Sequence, residues 1–374
     1  MVKVSSESLV SGDVYVPGLP KEYVHQKYGV PLDEIAKLAS AENPHGASPK
    51  ALAAVEEARN RLDTYPDWTA GKLRAAIGNR YGFDPVKVVC GSGETEVISM
   101  VIRAFAGPDE PILMHNPCFP IYRIYTATEG RRAVFAPMGE DFDPMMDDYI
   151  RLLKTGPRIA FLTNPHNPSG RGIPEADLRR VCEEAPKDTL VVFDEAYIHY
   201  SASEGGMHLL REFDNLIVLR TMSKAFGLAG LRVGFAISDN AELIRPLMNI
   251  KPTWNLGHMQ IAGGVAGIFD TEHVERAVTT VLESKAFLTA EMAKLNRFRM
   301  VPDSQANFFL TEILDRGLNS TTVFNGLLAR GVIVKDGTDI PGLGDRYLRV
   351  DFNLRKHMER FLWAIREIEA DNPA

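Results

Sequence analysis

Cysteine is scarce in this chain: Cys90, Cys118 and Cys182 are the 3 among 374 residues. They are too few and too scattered for a disulfide framework or for the paired ligands of a zinc site, so a reducing cytoplasm is the expected compartment. Long apolar runs are also missing. No stretch approaches the roughly 18 apolar residues of a membrane span, and Met1-Val2-Lys3-Val4-Ser5 has no apolar leader core. Positive charge is not in excess: 42 Lys and Arg face 49 Asp and Glu, for a net charge of −7. That balance excludes a surface that tracks nucleic acid or anionic lipid, while leaving room for a local cationic pocket. Internal repeats and low-complexity tracts are absent, as is any Gly-x4-Gly-Lys-Ser/Thr phosphate loop.

What is present is ordinary globular composition, 45% hydrophobic and 24% charged, in a length that suits two lobes or one large α/β unit. From about residue 87 to 238, short β-rich apolar runs alternate with helix-like segments, which predicts crossover units and a largely parallel sheet. The expected strands are Val86 to Cys90, Ile112 to His115, Ala133 to Ala136, Ile159 to Thr163, Leu190 to Asp194, Leu216 to Arg220 and Val233 to Ile237. Expected helices between them include Glu94 to Ala106, after the turn Gly91-Ser92-Gly93, and Glu175 to Glu184, after Pro174. Beyond about residue 257 the pattern becomes one long helix-like stretch through Asn296, then shorter mixed elements, then a closing amphipathic helix. In that helix Met358, Phe361, Leu362, Ile365 and Ile368 form the apolar stripe, leaving Arg360, Arg366, Glu367 and Glu369 for solvent. The first 40 or so residues read as an arm.

Ligands of an open α/β sheet gather at the carboxyl ends of its strands, and three such ends carry chemistry. Thr163-Asn164-Pro165-His166-Asn167-Pro168-Ser169-Gly170 supplies turn residues and amides. Leu190 to Asp194 runs straight into Glu195-Ala196-Tyr197, a carboxylate with a phenol. The strand ending at Arg220 leads to Ser223-Lys224-Ala225-Phe226-Gly227-Leu228-Ala229-Gly230-Leu231-Arg232. Taken alone, Lys224 is a solvated charge and Asp194 a helix cap; together they describe a site. Gly91-Ser92-Gly93-Glu94-Thr95 opens a helix after a strand, as an anion site does. A dinucleotide fingerprint would need glycine where Glu96 stands.

These segments, in this order and with a spacing of 30 positions from Asp194 to Lys224, resemble the fold-type I pyridoxal-phosphate aminotransferases, and within them the histidinol-phosphate aminotransferase subfamily. The resemblance extends through Tyr15-Val16-Pro17-Gly18, Lys37 to Gly46, Tyr65-Pro66-Asp67, Ala306-Asn307-Phe308 and Tyr347-Leu348-Arg349. It implies an N-terminal arm over 1–44 that joins a small domain, a large cofactor domain over 45–257 with a mostly parallel seven-stranded sheet, and a smaller α+β domain over 258–374. It implies that Lys224 carries pyridoxal 5′-phosphate through its amine and moves the proton as general base. Asp194 would keep the pyridine nitrogen protonated, Tyr197 and Asn167 would hold the ring oxygen, and Phe119 would stack on the ring. Gly93, Glu94, Thr95, Ser223 and Arg232 would hold the phosphate, with Tyr65 reaching it from a second subunit of a homodimer. Cys118 reads as a small apolar filler.

At the substrate end the resemblance assigns Arg349, Lys335, Tyr15 and Asn43, and metal has no part in it. Lys335 stands where the subfamily has arginine, so its charge is kept and its bidentate fork lost. Other departures are Ala41 within Ser40-Ala41-Glu42-Asn43-Pro44, Trp254-Asn255-Leu256 for Phe-Asn-Val, and Val350-Asp351-Phe352-Asn353 for a glycine-containing turn. The implied activity is transfer of an amino group between an amino acid or amino-alcohol phosphate and a 2-oxo acid such as 2-oxoglutarate, by a ping-pong cycle. A decarboxylase or an eliminating or cyclising lyase on the same scaffold is the alternative. An aminotransferase-like transcription regulator would need a DNA-binding helix-turn-helix, for which the segment before Tyr15 has no room.

Overall fold

The computed structural model describes residues 12–371; Met1 to Ser5, read above for a leader, lie outside the described residues. After a short strand β1 (Ala36–Lys37), the chain lays down β2 (Val88–Ser92), β3 (Pro111–Asn116), β4 (Arg132–Pro137), β5 (Ile159–Thr163), β6 (Leu190–Asp194), β7 (Leu216–Thr221) and β8 (Val233–Ile237). These last form a seven-stranded sheet in the order β2-β8-β7-β6-β5-β3-β4. β8 runs antiparallel to β2 and β7, and the remaining pairings are parallel. The inner strands are apolar because both their faces are covered, whereas the edge strand β4 is largely open to solvent. Leu162, Val191, Phe193, Val218 and Phe235 pack on one side, while Phe161, Val192, Ile217, Leu219 and Ala236 pack on the other.

Each strand lies where the sequence predicts, with one shift: β2 begins at Val88 instead of Val86. Asp84 accepts a hydrogen bond from the Val86 amide at 2.8 Å and Pro85 starts a single 3-10 turn, so Val86 is drawn out of the ladder into solvent. The helices Glu94–Phe105 and Glu175–Glu184 also form as expected. The long helix expected through Asn296 is corrected to two, His258–Gly267 and Thr271–Met292. Asp270 causes the break: its carboxylate is drawn to Ser48 Oγ at 2.6 Å and to Lys50 Nζ at 3.2 Å. The glycine-rich first helix lies against Ala51, Leu73 and Leu228.

A second, four-stranded sheet takes the order β12-β13-β10-β9 from β9 (Phe298–Met300), β10 (Phe308–Ile313), β12 (Lys335–Asp336) and β13 (Tyr347–Asp351), while β1 pairs in parallel with β11 (Val332–Ile333). The closing helix Arg355–Asp371 buries the predicted stripe on it. Arg366 and Glu367 face solvent as expected, whereas Arg360 and Glu369 are half-buried because Arg360 bonds the Arg330 carbonyl and Glu369 caps the Asn296 and Arg297 amides. Tyr197, Tyr200 and Ala225, from loops of the large sheet, join this second core. At the rim, ion pairs tie the two sheets together, Arg299 to Asp141 and Arg171 to Asp303, while Asp143 holds Arg171 from within the large-sheet loops.

The amino end of helix Glu94–Phe105 rests directly on β8, where a Cβ on Gly234 would lie 2.2 Å from the Glu94 nitrogen. Gly234→Ala is therefore expected to destabilise the protein by about 1–3 kcal/mol. A lowered urea midpoint reads this directly, and an unchanged midpoint would mean that helix and strand are not in contact.

Candidate active site

The parallel register brings Thr163 of β5 opposite Asp194 of β6, and Asp194 opposite Leu219 of β7. The carboxyl ends of these strands open into a cleft of about 410 Å³, closed from the other side by Ser40, Glu42 and Arg349. Lys224 points into it from the loop after β7. Its Nζ donates to the Ser40 carbonyl at 2.9 Å and lies 5.5 Å from the centre of the Tyr197 ring. Burial, reinforced by the Arg349 guanidinium, pulls the Lys224 amine down to about 8. An amine so placed is substantially neutral, and hence nucleophilic, only a little above neutral pH.

Asp194 is buried beneath the cleft floor, accepting from the Tyr122 hydroxyl and from the Ala196 amide at 3.1 Å. Burial pushes its carboxyl up, against those two donors. The neighbouring Glu94 carboxyl is likewise pushed well above the ordinary carboxylate range, by burial and then by Asp194. The following acid, Glu195, turns away and pairs with the buried Arg220 at 2.7 Å, which keeps its charge out of the cleft. Asn167 Nδ2 donates to the Tyr197 hydroxyl at 3.2 Å, and Asn167 Oδ1 accepts from Arg349 Nη1 at 3.0 Å. Phe119 forms a wall, with Tyr15 edge-on at 6.1 Å.

A phosphate cradle closes one end. Gly93 sits at φ +80° before the helix Glu94–Phe105, no side chain caps that helix, and a Cβ on Gly93 would lie 2.0 Å from Arg232 Nη2. Arg232 Nη1 donates to Ser223 Oγ at 3.4 Å, and Thr221 Oγ1 donates to the same oxygen at 3.0 Å. Uncapped helix amides, two hydroxyls and a guanidinium are the donor set of a phosphate dianion. Glu94 Oε1 and Arg349 Nε, both on cleft-lining residues, are buried polar atoms with no partner of their own. The residues therefore fit a phosphorylated, hydrogen-bonding cofactor.

Of the residues expected from sequence, Tyr15, Glu94, Thr95, Phe119, Asn167, Asp194, Tyr197, Ser223, Lys224, Arg232 and Arg349 line this one cleft, with Gly93 at its phosphate end. Others lie elsewhere. Asn43 donates to the Ala225 carbonyl at 2.8 Å and bonds His273, bracing the lysine loop from behind. Lys335 stands opposite Arg349 in the β12–β13 pairing, but its amine donates to the Val16 carbonyl at 2.6 Å and to Asp339 at 2.7 Å. Tyr65 is 76% exposed and stacks on Trp254 at 4.3 Å, away from the cleft of its own chain. Sequence reading missed Tyr122, Thr221, Thr163, Tyr125 and Glu42. Tyr122 and Tyr125 fall within the helix Pro120–Thr128 that Phe119 precedes, so a helical projection of that segment was the signal that would have found them.

A parallel sheet delivering a lysine, a buried aspartate and a phosphate cradle to one edge defines a pyridoxal-phosphate enzyme of fold type I. The model of the family aminotransferase class I and II matches residues 33–365, and the chain belongs to that family. It is 38% identical to a histidinol-phosphate aminotransferase of Anaeromyxobacter sp. (strain Fw109-5) over 95% of this chain and 96% of that protein. It is 35% identical to the protein of the same name from Methanopyrus kandleri, over 97% and 95%. A solved histidinol-phosphate aminotransferase from Sinorhizobium meliloti, in complex with pyridoxal-5′-phosphate, superposes with a TM-score of 0.84 at 21% identity, covering 95% of this chain and 96% of that one. The protein is a pyridoxal-phosphate-dependent aminotransferase.

Because Arg349 helps to depress the Lys224 amine, Arg349→Met should raise its pKa. Labelling of Lys224 by an amine-reactive reagent, followed by mass spectrometry, is expected to climb through about pH 8 in the wild type and at distinctly higher pH in the variant. Coincident profiles would remove Arg349 from the electrostatics of this lysine.

Proposed function

We propose that the chain moves an amino group from a small phosphorylated amino alcohol of the histidinol-phosphate type to a 2-oxo acid such as 2-oxoglutarate, in two half-reactions, as a homodimer in the cytoplasm. The observation that carries this reading is the meeting of Lys224, Asp194 and Arg349 at one cleft. The names of the relatives supply the substrate class. When bound, pyridoxal phosphate supplies an aldehyde for amines and a ring that takes up the electron pair released at the substrate's α-carbon.

The residues divide the work. Lys224 would carry the cofactor through its amine and, once freed by the donor amine, would take the proton from the substrate's α-carbon and return it at the cofactor's former aldehyde carbon, two atoms away. Asp194, held by the Tyr122 hydroxyl and the Ala196 amide, keeps a proton on the ring nitrogen. Asn167 and Tyr197 orient the ring oxygen, Phe119 covers the ring face, and Gly93, Glu94, Thr95, Ser223 and Arg232 anchor the phosphate. Arg349 meets the substrate anion. Lys335 acts at one remove, holding the arm at Val16 so that Tyr15 closes on Phe119. Bracing of the lysine loop falls to Asn43. Exposed Tyr65, Trp68 and Trp254, with Tyr65 stacked on Trp254, form an aromatic surface suited to a second copy, from which Tyr65 would reach the other subunit's phosphate.

A donor screen on the full-length holoenzyme tests the substrate class. Histidinol phosphate should bleach the cofactor's visible band, and 2-oxoglutarate should restore it. Carbon dioxide or water release without any 2-oxo acid would assign a lyase instead. Lys224→Ala should lower kcat by roughly 10²–10⁴-fold and abolish the visible band. Asp194→Asn should retain cofactor yet lose about 10²-fold or more in kcat; near-normal turnover in either variant would strip that residue of its role.

A further inference from the structure

Asp351 lies two residues beyond Arg349 on β13, so both side chains leave the same face of the strand, while Leu348, Val350 and Phe352 enter the second core. The arm segment Leu38 to Ala41 runs against that face and is stitched to it. The Asp351 amide donates to the Leu38 carbonyl at 3.0 Å, Arg349 Nη2 to the Ala39 carbonyl at 2.9 Å, and Asn307 Nδ2 to the Ala41 carbonyl at 3.0 Å. Asp351 Oδ2 accepts from the Ala41 amide at 2.5 Å. Ala41 itself is held at φ +51°, a left-handed conformation that is strained for a residue with a Cβ and persists only where its surroundings impose it.

The decisive geometry is that of one peptide unit. The Ala41 N–H and the Ser40 carbonyl belong to the same planar amide and, in a trans peptide, point in opposite directions. A carboxylate gripping the N–H therefore fixes where the carbonyl aims, and that carbonyl accepts from Lys224 Nζ at 2.9 Å. An anion on the N–H side also polarises the amide and strengthens the bond on the carbonyl side. Asp351 is buried, and its Oδ1 has no hydrogen-bond partner of its own, so its carboxylate is anchored through Oδ2 on the Ala41 amide; burial raises this carboxyl, and the Arg349 guanidinium opposes that rise.

We propose that Asp351 is a positioning residue for the reaction: acting through the Ser40–Ala41 peptide and through its charge, it aims and tunes the Lys224 amine. The inference rests on Lys224 being the amine that carries the cofactor. Charged and titratable groups facing Lys224 are Arg349 and Asp351 from β13, Glu42 from the arm, Glu94 from the helix after β2 and Tyr197 from the loop after β6. Those facing Asp351 are Arg349, Lys224, Glu42 and Tyr200. Among the acids around Lys224, Asp351 favours its protonated form and offsets part of what burial and Arg349 do.

The test is a pH titration of the visible absorbance of the full-length holoenzyme, with kcat and donor KM measured in parallel. In Asp351→Asn the amide oxygen can still accept from Ala41, so the fold is kept while the charge is lost; the spectral midpoint is expected to move to lower pH by roughly one unit. In Asp351→Ala the same shift should come with a fall in kcat of roughly tenfold at little change in KM, as the peptide loses its anchor. A wild-type midpoint in a folded Asp351→Asn protein overturns the proposal, and so does failure of both variants to fold, which would make Asp351 a core residue only. Lys224→Ala separates the two readings: a pH-dependent band surviving there would refute the role of the lysine, whereas its loss, together with an unmoved Asp351→Asn midpoint, would refute Asp351 alone.

Discussion

Parallel pairing of β5 with β6 and of β6 with β7 sets Thr163, Asp194 and the Lys224 loop side by side. All else in the cleft takes its position from that register. A parallel ladder needs crossover helices on its faces, which is why the strands are apolar on both sides and why polar chemistry is confined to their ends. A slip of one residue would exchange the two buried faces and drive Asp194 into the apolar layer beneath, so the hydrophobic pattern that folds the sheet also places its carboxylate.

The second constraint is the seam where the arm crosses β13. Arg349 reaches forward to Asn167 and back to the Ala39 carbonyl, linking the large-sheet loop, the small sheet and the arm through a single guanidinium. The cost of burying such a group is met because its terminal nitrogens are satisfied on both sides. Electrostatics in the cleft follow from the same crowding. Burial lifts the carboxyls and lowers the lysine, and the neighbours decide by how much.

Much of this was legible in the sequence. Strands covered on both faces announce themselves as uninterrupted apolar runs, and a run that ends in Asp194 places that residue at a sheet edge without further information. The order of the loops around Asn167, Asp194 and Lys224 was enough to identify the cofactor chemistry. What could not be read were facts that depend on three-dimensional neighbours. Lys335 pairs with Arg349 in register, yet its amine is taken by Val16 and Asp339. The break after Gly267 depends on Ser48 and Lys50, more than two hundred residues upstream. Tyr122 belongs to the site because its helix turns it under the sheet edge toward Asp194; its place on the helix is readable from spacing, but its partner, 72 residues further along the chain, is not.

The ion pairs at the rim and the seam within hold the same two sheets together by different physics. Arg171 and Arg299 join carboxylates, several of them exposed, across the outer edge, where dissolved salt screens them. The bonds from Arg349 and Asp351 to the arm are buried and largely beyond its reach. Ionic strength thus acts as a dial on the outer fastening far more than on the inner one, so concentrated salt loosens the rim before it disturbs the alignment of the lysine.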